Sequence, residues 1–262
     1  MDVHELVKDH YSPEDLTGAI LSALSAAGTE VETLTAQDLF PLDQLHAGGG
    51  PTTRHLIERL APDAASHLLD VGCGIGGPSR MAATYGAQVT GVDLSPEFVE
   101  TATDLTQRAG LGAKVSFVAT SGESLPFGDD TFDGAFMVHV GMNVPDKQAV
   151  FAEVRRVLRP DARFALFEQV RIGEGELTYP LPWAVDERSS FVEDVAGYTT
   201  ALEAAGFSVE EVADRTASTL GPPPGGLSPA AVFGDAFTER VGNNIAATRS
   251  GILGAWLIVA RA

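Results

Sequence analysis

A glycine-rich stretch with a carboxylate in front of it is the most chemically informative part of this sequence. An apolar run that contains Asp70 leads into Gly72, Gly74 and Gly76, and Pro78 then opens a helical pattern. This order predicts a strand, a tight loop and the N-terminus of a helix. Glycines let backbone N–H groups approach a ligand closely, and a helix end adds a partial positive charge that favours an anion. The stretch therefore predicts a binding site for a ligand that carries an anionic group.

Asp70 indicates which kind of ligand this loop accepts. Gly72, Gly74 and Gly77 also satisfy the G-x-G-x-x-G pattern of dinucleotide binding, which is a weak signal. A carboxylate two residues before the first glycine would repel a pyrophosphate, whereas it could pair with an ammonium group. A zwitterionic amino acid fits better, with its carboxylate at the helix end and its amine near Asp70. S-adenosylmethionine is such a ligand.

Three strings of residues resemble motifs of class I S-adenosylmethionine-dependent methyltransferases. They are Leu-Asp-Val-Gly-Cys-Gly-Ile-Gly-Gly-Pro at 69–78, Phe-Asp-Gly-Ala-Phe at 132–136 and Val-Leu-Arg-Pro at 157–160. The resemblance covers residues 68–170, and the whole chain is similar to small-molecule enzymes of the ubiquinone, sterol and natural-product kind. It implies S-adenosylmethionine as the cofactor and an α/β, Rossmann-like fold. Seven mostly parallel strands would form one sheet with helices on both faces and an antiparallel last strand.

Residues that follow later strands extend the predicted cofactor site. Asp93 ends a strand about twenty residues beyond the loop, where a carboxylate can accept hydrogen bonds from both ribose hydroxyls, and Leu94 lies beside it. Ser121 and Gly122 follow the third strand at the same edge of the sheet. The family commonly has an acidic residue there for the adenine amino group, so we expect Ser121 to bind the cofactor somewhat less tightly. The resemblance also implies that Tyr11, on an N-terminal lid, folds over the cofactor.

Three side chains are candidates for a base, which methyl transfer needs only when the acceptor must lose a proton. His139 ends the fourth predicted strand at the ligand edge and is the leading candidate, although it could equally be a hydrogen-bonded ring that shapes the pocket beside the cofactor. His46 stands near three glycines and is second, or could close the pocket over the cofactor. Glu168, near the end of the fifth strand, is third, or fastens a neighbouring loop or helix. No metal site is predicted.

The elements that must position these residues divide the chain into two parts. Residues 1–66 are predicted to form an N-terminal helical lid, and residues 67–262 the cofactor-binding domain, in which strands and helices alternate. In class I methyltransferases the sixth and seventh strands usually form a hairpin, so residues 214–253 would be an insertion that covers the substrate. Trp183, Phe191 and Phe233 lie in the segments expected to roof the pocket. They predict a small acceptor molecule with an apolar or aromatic part.

Charge and composition restrict the partners. The formal net charge is −19, and only 17 residues are Lys or Arg, which argues against nucleic acid and against an anionic membrane. No apolar run approaches the ~20 residues of a spanning helix. The lone Cys73 and the polar, acidic N-terminus predict a cytosolic protein. The oligomeric state stays open.

Two functions of different class remain open from the sequence. The first is methyl transfer to O, N or C of a small, partly apolar molecule in natural-product or other secondary metabolism. The second is a protein of the same fold that transfers no methyl group and acts as a cyclase, a pericyclic catalyst or a ligand-binding module. An intact loop together with Asp70 and Asp93 favours the first.

Overall fold

The computed structural model describes residues 15–220 and 227–262. Within them, one seven-stranded sheet has the order β3-β2-β1-β4-β5-β7-β6. The strands are β1 His67–Val71, β2 Gln88–Asp93, β3 Val115–Ala119, β4 Phe132–Val138, β5 Leu158–Arg171, β6 Ser208–Asp214 and β7 Leu253–Arg261. The strand pairs from β3 to β5 are all parallel, and β7 runs antiparallel to β5 and β6. The predicted Rossmann-like sheet with an antiparallel last strand is confirmed.

Nine α-helices are assigned in the described ranges. They are α1 Leu16–Ala26, α2 Ala36–Asp43, α3 Gly49–Leu60, α4 Gly77–Ala83, α5 Pro96–Arg108, α6 Lys147–Val157, α7 Val195–Ala204, α8 Thr216–Thr219 and α9 Ala230–Arg249. Several begin at a side chain that accepts a backbone N–H, as Thr35 and Ser95 do for α2 and α5. Such caps satisfy donors that a helix start leaves open, so they fix where each helix begins.

The central strands are buried on both faces, as expected for a parallel sheet covered by helices. One face packs against α6 and α7 through residues such as Phe151 and Leu202. The other packs against α3 and α4 through residues such as Ile57 and Met81. The helices pack on the two faces of the sheet and do not cover the carboxyl ends of the parallel strands. The loops that follow these strand ends form the candidate site described below.

Helices α1 to α3 precede the sheet, and α1 and α2 pack against α5 around Leu24, Leu39 and Leu105. Helices α8 and α9 lie between β6 and β7, and Phe233 of α9 packs against the same cluster. The assignment of residues 1–66 as a lid and 214–253 as a cover stays a prediction. Across the described part of the chain, no helix has the length and apolar character needed to cross a membrane.

Candidate functional site

The glycine loop after β1 is hydrogen-bonded to the neighbouring strand β2. The N–H groups of Gly72 and Cys73 both donate to the Val92 carbonyl, at 2.8 and 2.9 Å. Gly72 and Gly74 have φ angles of +74° and +52°, which glycine adopts without the steric penalty of a Cβ. A Cβ at Gly72 would lie 2.3 Å from Val140 Cγ2, whereas a Cβ at Gly74 would meet nothing within 4 Å. The backbone at Gly74 therefore borders open space that a ligand can approach closely.

A cleft of about 1270 Å³, its open mouth included, lies where the chain leaves β1, β2, β3 and β4. Open α/β sheets bind ligands at this edge. Most of the predicted site residues line it together, namely His46, Gly72, Gly74, Asp93, Leu94, Ser121, Gly122 and His139. The structure thus brings these eight predicted residues together in one cleft.

Asp93 is held in a fixed orientation at the end of β2. Its Oδ2 accepts the N–H of Gly74 at 2.8 Å, and its Oδ1 accepts the N–H of Ser95 at 2.9 Å. Burial raises the pKa of this carboxyl, and backbone hydrogen bonds from Ser95, Gly74 and Leu94 counteract that shift. A carboxylate has about four lone-pair sites, so it can still accept a hydrogen bond from a ligand that presents hydroxyl groups. A ribose 2′,3′-diol is such a ligand.

His139 stands at the end of β4 in an unusual backbone conformation. Its φ angle is +53°, in the left-handed region that few residues other than glycine adopt. Its N–H donates to the Phe167 carbonyl at 2.8 Å, and its ring stacks on the Phe167 ring with 5.4 Å between centroids. Within residues 15–220 and 227–262, no group forms a hydrogen bond with its buried Nε2. Burial lowers the pKa of His139 well below 6.5, so the ring is neutral and can accept a proton.

His46 reaches the same cleft from the loop between α2 and α3. Its Nε2 lies 2.8 Å from Thr53 Oγ1, and its Nδ1 lies 3.1 Å from the Ala47 carbonyl oxygen. Burial lowers its pKa to about 4. Both of its nitrogens therefore face protein oxygens, in contrast to Nε2 of His139.

Glu168 lies outside the cleft, and its contacts match the alternative of fastening a loop. Its two carboxylate oxygens accept the N–H groups of Val140 and Gly141 at 3.1 and 3.0 Å. The side chain is fully buried, and burial raises its pKa to about 8. Since Val140 and Gly141 directly follow His139, Glu168 fixes the loop that carries the histidine. The prediction that Glu168 is a base facing the ligand is not supported by this placement.

Asp70 is buried and does not line the cleft, and its predicted pairing with an ammonium group stays a prediction. Its Oδ2 accepts a hydrogen bond from Ser79 Oγ at 2.6 Å, which ties β1 to the first turns of α4. Burial raises its pKa to about 7. Gly76 lies off the cleft too, and a Cβ there would meet Phe117 and Arg80. Asp70 and Gly76 therefore contribute to the structure of the loop without lining the cleft.

The three aromatic residues predicted to contact the acceptor lie outside the cleft. Trp183 is 2% exposed and packs against Leu181 and Leu253, with its Nε1 donating to Ser190 Oγ. Phe191 is joined to the Met142 carbonyl through its backbone N–H, and Phe233 packs beside α1 and α2. Apolar burial, which the sequence cannot distinguish from pocket lining, accounts for Trp183 and Phe233. Tyr11 lies outside the described residues.

Several lining residues were missed by sequence reasoning. They include Leu45, Ile75, Phe98, Val140 and Asn143. Asn143 is anchored by its Nδ2, which donates to the Trp183 carbonyl at 2.7 Å. Val140 and Asn143 lie in the loop that follows β4 and begins with His139. The rule that ligand contacts follow the carboxyl ends of parallel strands would have found these two.

Comparison with known proteins identifies the family. The methyltransferase domain family matches residues 69–166. Methyltransferase phqN of Penicillium fellutanum is 33% identical over 195 residues, which are 72% of this chain and 58% of that protein. Methyltransferase GfsG of Streptomyces halstedii is 33% identical over 185 residues, or 68% of this chain and 66% of that protein. The chain belongs to the class I S-adenosylmethionine-dependent methyltransferases. It spans less than two thirds of the length of these relatives.

Solved structures share the fold of this chain. Geranyl diphosphate C-methyltransferase of Streptomyces coelicolor A3(2), in complex with Mg²⁺, geranyl-S-thiolodiphosphate and S-adenosyl-L-homocysteine, superposes with a TM-score of 0.72 at 18% identity. The alignment covers 100% of this chain and 98% of that chain. The [4+2]-cyclase SpnF superposes with a TM-score of 0.69 at 22% identity, covering 100% and 97%. The predicted family is confirmed, and the cofactor of the family is S-adenosylmethionine, as predicted.

Proposed function

We propose that this chain transfers a methyl group from S-adenosylmethionine to an O, N or C atom of a small, partly apolar molecule. One observation supports this most directly. Asp93, Gly74 and His139 all line a single cleft, and the buried Nε2 of His139 has no hydrogen-bond partner among the described residues. A cofactor and an acceptor can therefore be bound side by side, which is the arrangement that transfer between them needs.

The described residues fit this cofactor. Asp93 would accept hydrogen bonds from its ribose hydroxyls, and the Gly72–Gly74 backbone would border its amino-acid end. Leu94, Ser121 and Gly122 would line the base. When bound, the cofactor supplies a methyl group activated by its sulfonium, so the protein's tasks are to orient the acceptor and exclude water.

His139 would take the proton of an acceptor that must lose one. Its neutral ring can accept a proton on Nε2, and the Phe167 stack and the Glu168-fastened loop hold the ring in place. An amine that is already nucleophilic would need only alignment. The ring would then shape the pocket, the alternative that the sequence left open.

The acceptor is uncharged or weakly cationic in this proposal. Among the described residues that line the cleft, none is Lys or Arg, whereas Asp43, Asp93 and Glu123 are acidic. The remaining lining is largely apolar. A phosphate or diphosphate, such as the one in the geranyl analogue of the Streptomyces coelicolor structure, would find no cationic partner among them. We further propose a cytosolic location and a role in secondary metabolism, as in the sequence-based prediction.

Residues 1–66 and 214–253 are proposed to cover the cleft. Leu45 and His46, both from residues 1–66, line the cleft. This supports the assignment of the N-terminal helices as a lid over the cofactor-binding domain. The position of α8 and α9 between β6 and β7 is consistent with a cover at about 214–253.

Mass spectrometry of the bound ligand tests the proposed reaction. The protein is incubated with S-adenosylmethionine and a panel of phenols, amines, polyketide-like and terpenoid compounds. Formation of S-adenosylhomocysteine together with a product heavier by one methyl group is expected. A strong preference for a phosphorylated or polyanionic acceptor would contradict the proposed acceptor class.

The second candidate function is pericyclic or cyclase chemistry in the same cleft. It is favoured by the likeness over the whole chain to a [4+2]-cyclase. An isomerised product formed while S-adenosylmethionine stays unchanged would support it over methyl transfer.

A further inference from the structure

Gln169 carries a buried amide oxygen for which the described protein offers no partner. The residue lies near the carboxyl end of β5, and its side chain is almost fully enclosed, with 1% of the residue exposed. No group in residues 15–220 or 227–262 forms a hydrogen bond with its Oε1. Buried polar groups in folded proteins are nearly always hydrogen-bonded, so an exception at the ligand edge of the sheet requires an explanation.

The strand register places Gln169 beside His139. Alternate residues of a strand point to the same face, so Gln169 shares the face of Phe167, which packs in the cluster formed with α3 and α4. Val138 is opposite Phe167 in the parallel pair of β4 and β5, and the N–H of His139 still donates to the Phe167 carbonyl. His139 is therefore one residue out of level with Gln169 on the neighbouring segment. The spacing of strands puts their Cα atoms about 6 Å apart.

Two polar groups that lack partners thus come from neighbouring positions on one face of the sheet. The second is Nε2 of His139, whose ring stacks on Phe167. A single unpaired group can be a local cost of packing, whereas two such groups side by side indicate that a ligand supplies what the fold does not. His139 lines the cleft and Gln169 does not, so the space for this ligand would extend from the cleft past the histidine ring.

The neighbours of Gln169 on β7 offer it no polar side chain. Its partner in the antiparallel register is Ala255, whose N–H already donates to Thr216 Oγ1 at 3.1 Å. Thr216 begins α8, and Thr219 at the end of this short helix approaches the loop that carries His46. A Cβ built on Gly48 of that loop would lie 3.6 Å from Thr219 Cγ2. The proposed lid and the proposed cover therefore meet near this end of β5.

We propose that Gln169 is a binding residue for the acceptor and determines which acceptors fit, an inference that rests on the proposed function. One polar group of the acceptor faces His139 Nε2, and a second polar group hydrogen-bonds to the Gln169 amide. The ligand class is an uncharged, partly apolar molecule that carries two polar groups close together, such as two hydroxyls. An analogue with only one of them would leave the buried amide unpaired, so the site should discriminate against it.

Thermal unfolding of Gln169→Met distinguishes a ligand-binding amide from a structural one. Met keeps the length of the side chain and has no group that needs a partner. If the partner is a ligand, the loss of an unpaired buried amide should leave the Tm of the free protein unchanged or raise it. A lower Tm would show that the amide is paired within the fold, and would overturn the proposal. Gln88→Met, at an exposed position that begins β2, is the control substitution.

Binding of small probes to the S-adenosylhomocysteine complex tests the ligand class without turnover. Phenol has one hydroxyl, and catechol and resorcinol add a second one at the adjacent or the next ring carbon. We expect the wild type to bind one of the two diols about 10-fold more tightly than phenol, the scale of one hydrogen bond to a buried group. Gln169→Met should lose this preference and bind phenol as the wild type does, and Gln88→Met should keep the preference.

Three results of the probe titrations, followed by ligand-observed NMR, would overturn the proposal. They are equal affinities of the wild type for the three probes, no binding of any probe, and a diol preference that survives in Gln169→Met. If the preference depends on Gln169 but no acceptor is methylated, the proposed reaction fails and the ligand site stands. With an acceptor identified by turnover, Gln169→Met should raise its KM about 10-fold and leave the affinity for S-adenosylhomocysteine unchanged. An unchanged KM would exclude Gln169 from the acceptor site.

Discussion

The rings of His46 and His139 meet edge to face, with 5.7 Å between their centroids and 61° between their planes. The two residues come from distant parts of the sequence, one before β1 and the other after β4. Each ring is neutral because burial lowers its pKa, and a proton on either one disfavours a proton on the other. Protonation of one ring therefore opposes protonation of the other.

Gly74→Ala should abolish cofactor binding while leaving the protein folded. The residue has φ +52° and open space where a Cβ would point, so the methyl group meets no protein atom and enters the volume that a ligand needs. The backbone strain of a non-glycine residue at positive φ costs about 1–2 kcal/mol of stability. Calorimetric titration with S-adenosylhomocysteine and thermal unfolding measure the two effects separately.

Gly110→Ala is the matched control for that strain. Gly110 has φ +70°, a Cβ there would also meet nothing within 4 Å, and the residue follows α5 away from the cleft. It should lose a similar amount of stability and keep full affinity. Equal affinities for the two variants would exclude the Gly74 backbone from the cofactor site.

Asp93→Ala should weaken S-adenosylmethionine binding by roughly 1.5–3 kcal/mol, the scale of lost hydrogen bonds to a charged group. The carboxylate is already oriented by the N–H groups of Gly74 and Ser95, so it is preorganised for hydroxyl donors. Calorimetry with wild type and variant gives the difference. Asp104→Ala, on the exposed face of α5, controls for the loss of one negative charge. Unchanged affinity in Asp93→Ala would remove this residue from the site.

The fold and the cofactor edge could be predicted because they depend on patterns that lie within the sequence. Alternating strands and helices fix a parallel sheet, and the residues that follow strand ends, such as Asp93 and His139, meet at one edge whatever the packing. The direction of a side chain is different. Asp70 and Glu168 are acids on buried strands, and only the neighbours that tertiary packing brings to them, Ser79 for one and the loop after His139 for the other, decide that they face inward.

The roof of the pocket was harder to predict for a related reason. Large aromatic side chains pack in a hydrophobic core and line a binding pocket equally well. Trp183 and Phe233 are used for packing in the described structure, one against β7 and the other against the N-terminal helices. Small clusters that form between distant segments leave no periodic signal, so the sequence does not distinguish the two uses.

Glu168→Gln should flatten the pH dependence of stability on the alkaline side. Burial raises the pKa of this carboxyl from 4.5 to about 8, so the folded protein holds a proton that the unfolded chain releases between those values. The wild-type contribution to stability is therefore present at low pH and falls as the pH rises towards 8. The amide of the variant cannot titrate, so urea unfolding should show a smaller decline for Glu168→Gln between about pH 5 and 8.

Two other effects on the pH dependence of stability must be separated from that of Glu168, namely the titration of the buried histidines and the change in net charge. His46 and His139, whose pKa values are lowered, destabilise the fold as the pH falls below 6.5, but they do so in both proteins and cancel in the difference. Glu203→Gln on the exposed side of α7 corrects for the change in net charge. Parallel declines for wild type and Glu168→Gln would show that Glu168 does not hold a proton at neutral pH.

The pH dependence of turnover, measured with and without the His139 ring, is the most direct test of the proposed chemistry. If the acceptor is a phenol, a hydroxyl or an acidic carbon, neutral His139 takes its proton, and the rate should fall when the ring becomes protonated. Since burial lowers the pKa of His139, this acid limb should lie well below pH 6.5, with a flat profile around neutrality. His139→Ala should lower turnover by about 10²–10⁴-fold and leave cofactor affinity nearly intact.

The choice of variants separates the base from the backbone that carries it. Because His139 has φ +53°, replacement by Ala also strains the loop, whereas Asn is among the residues that tolerate this conformation. His139→Asn should therefore lose turnover as His139→Ala does, but without its loss of stability. His46→Ala should keep the acid limb, because the nitrogens of His46 are directed at Thr53 and Ala47. A ring that only shapes the pocket predicts instead a smaller loss, a raised KM and an unchanged acid limb. Turnover measured against pH for the four proteins with one acceptor decides between these outcomes, and a full rate with the same profile in His139→Asn would show that His139 is not the base.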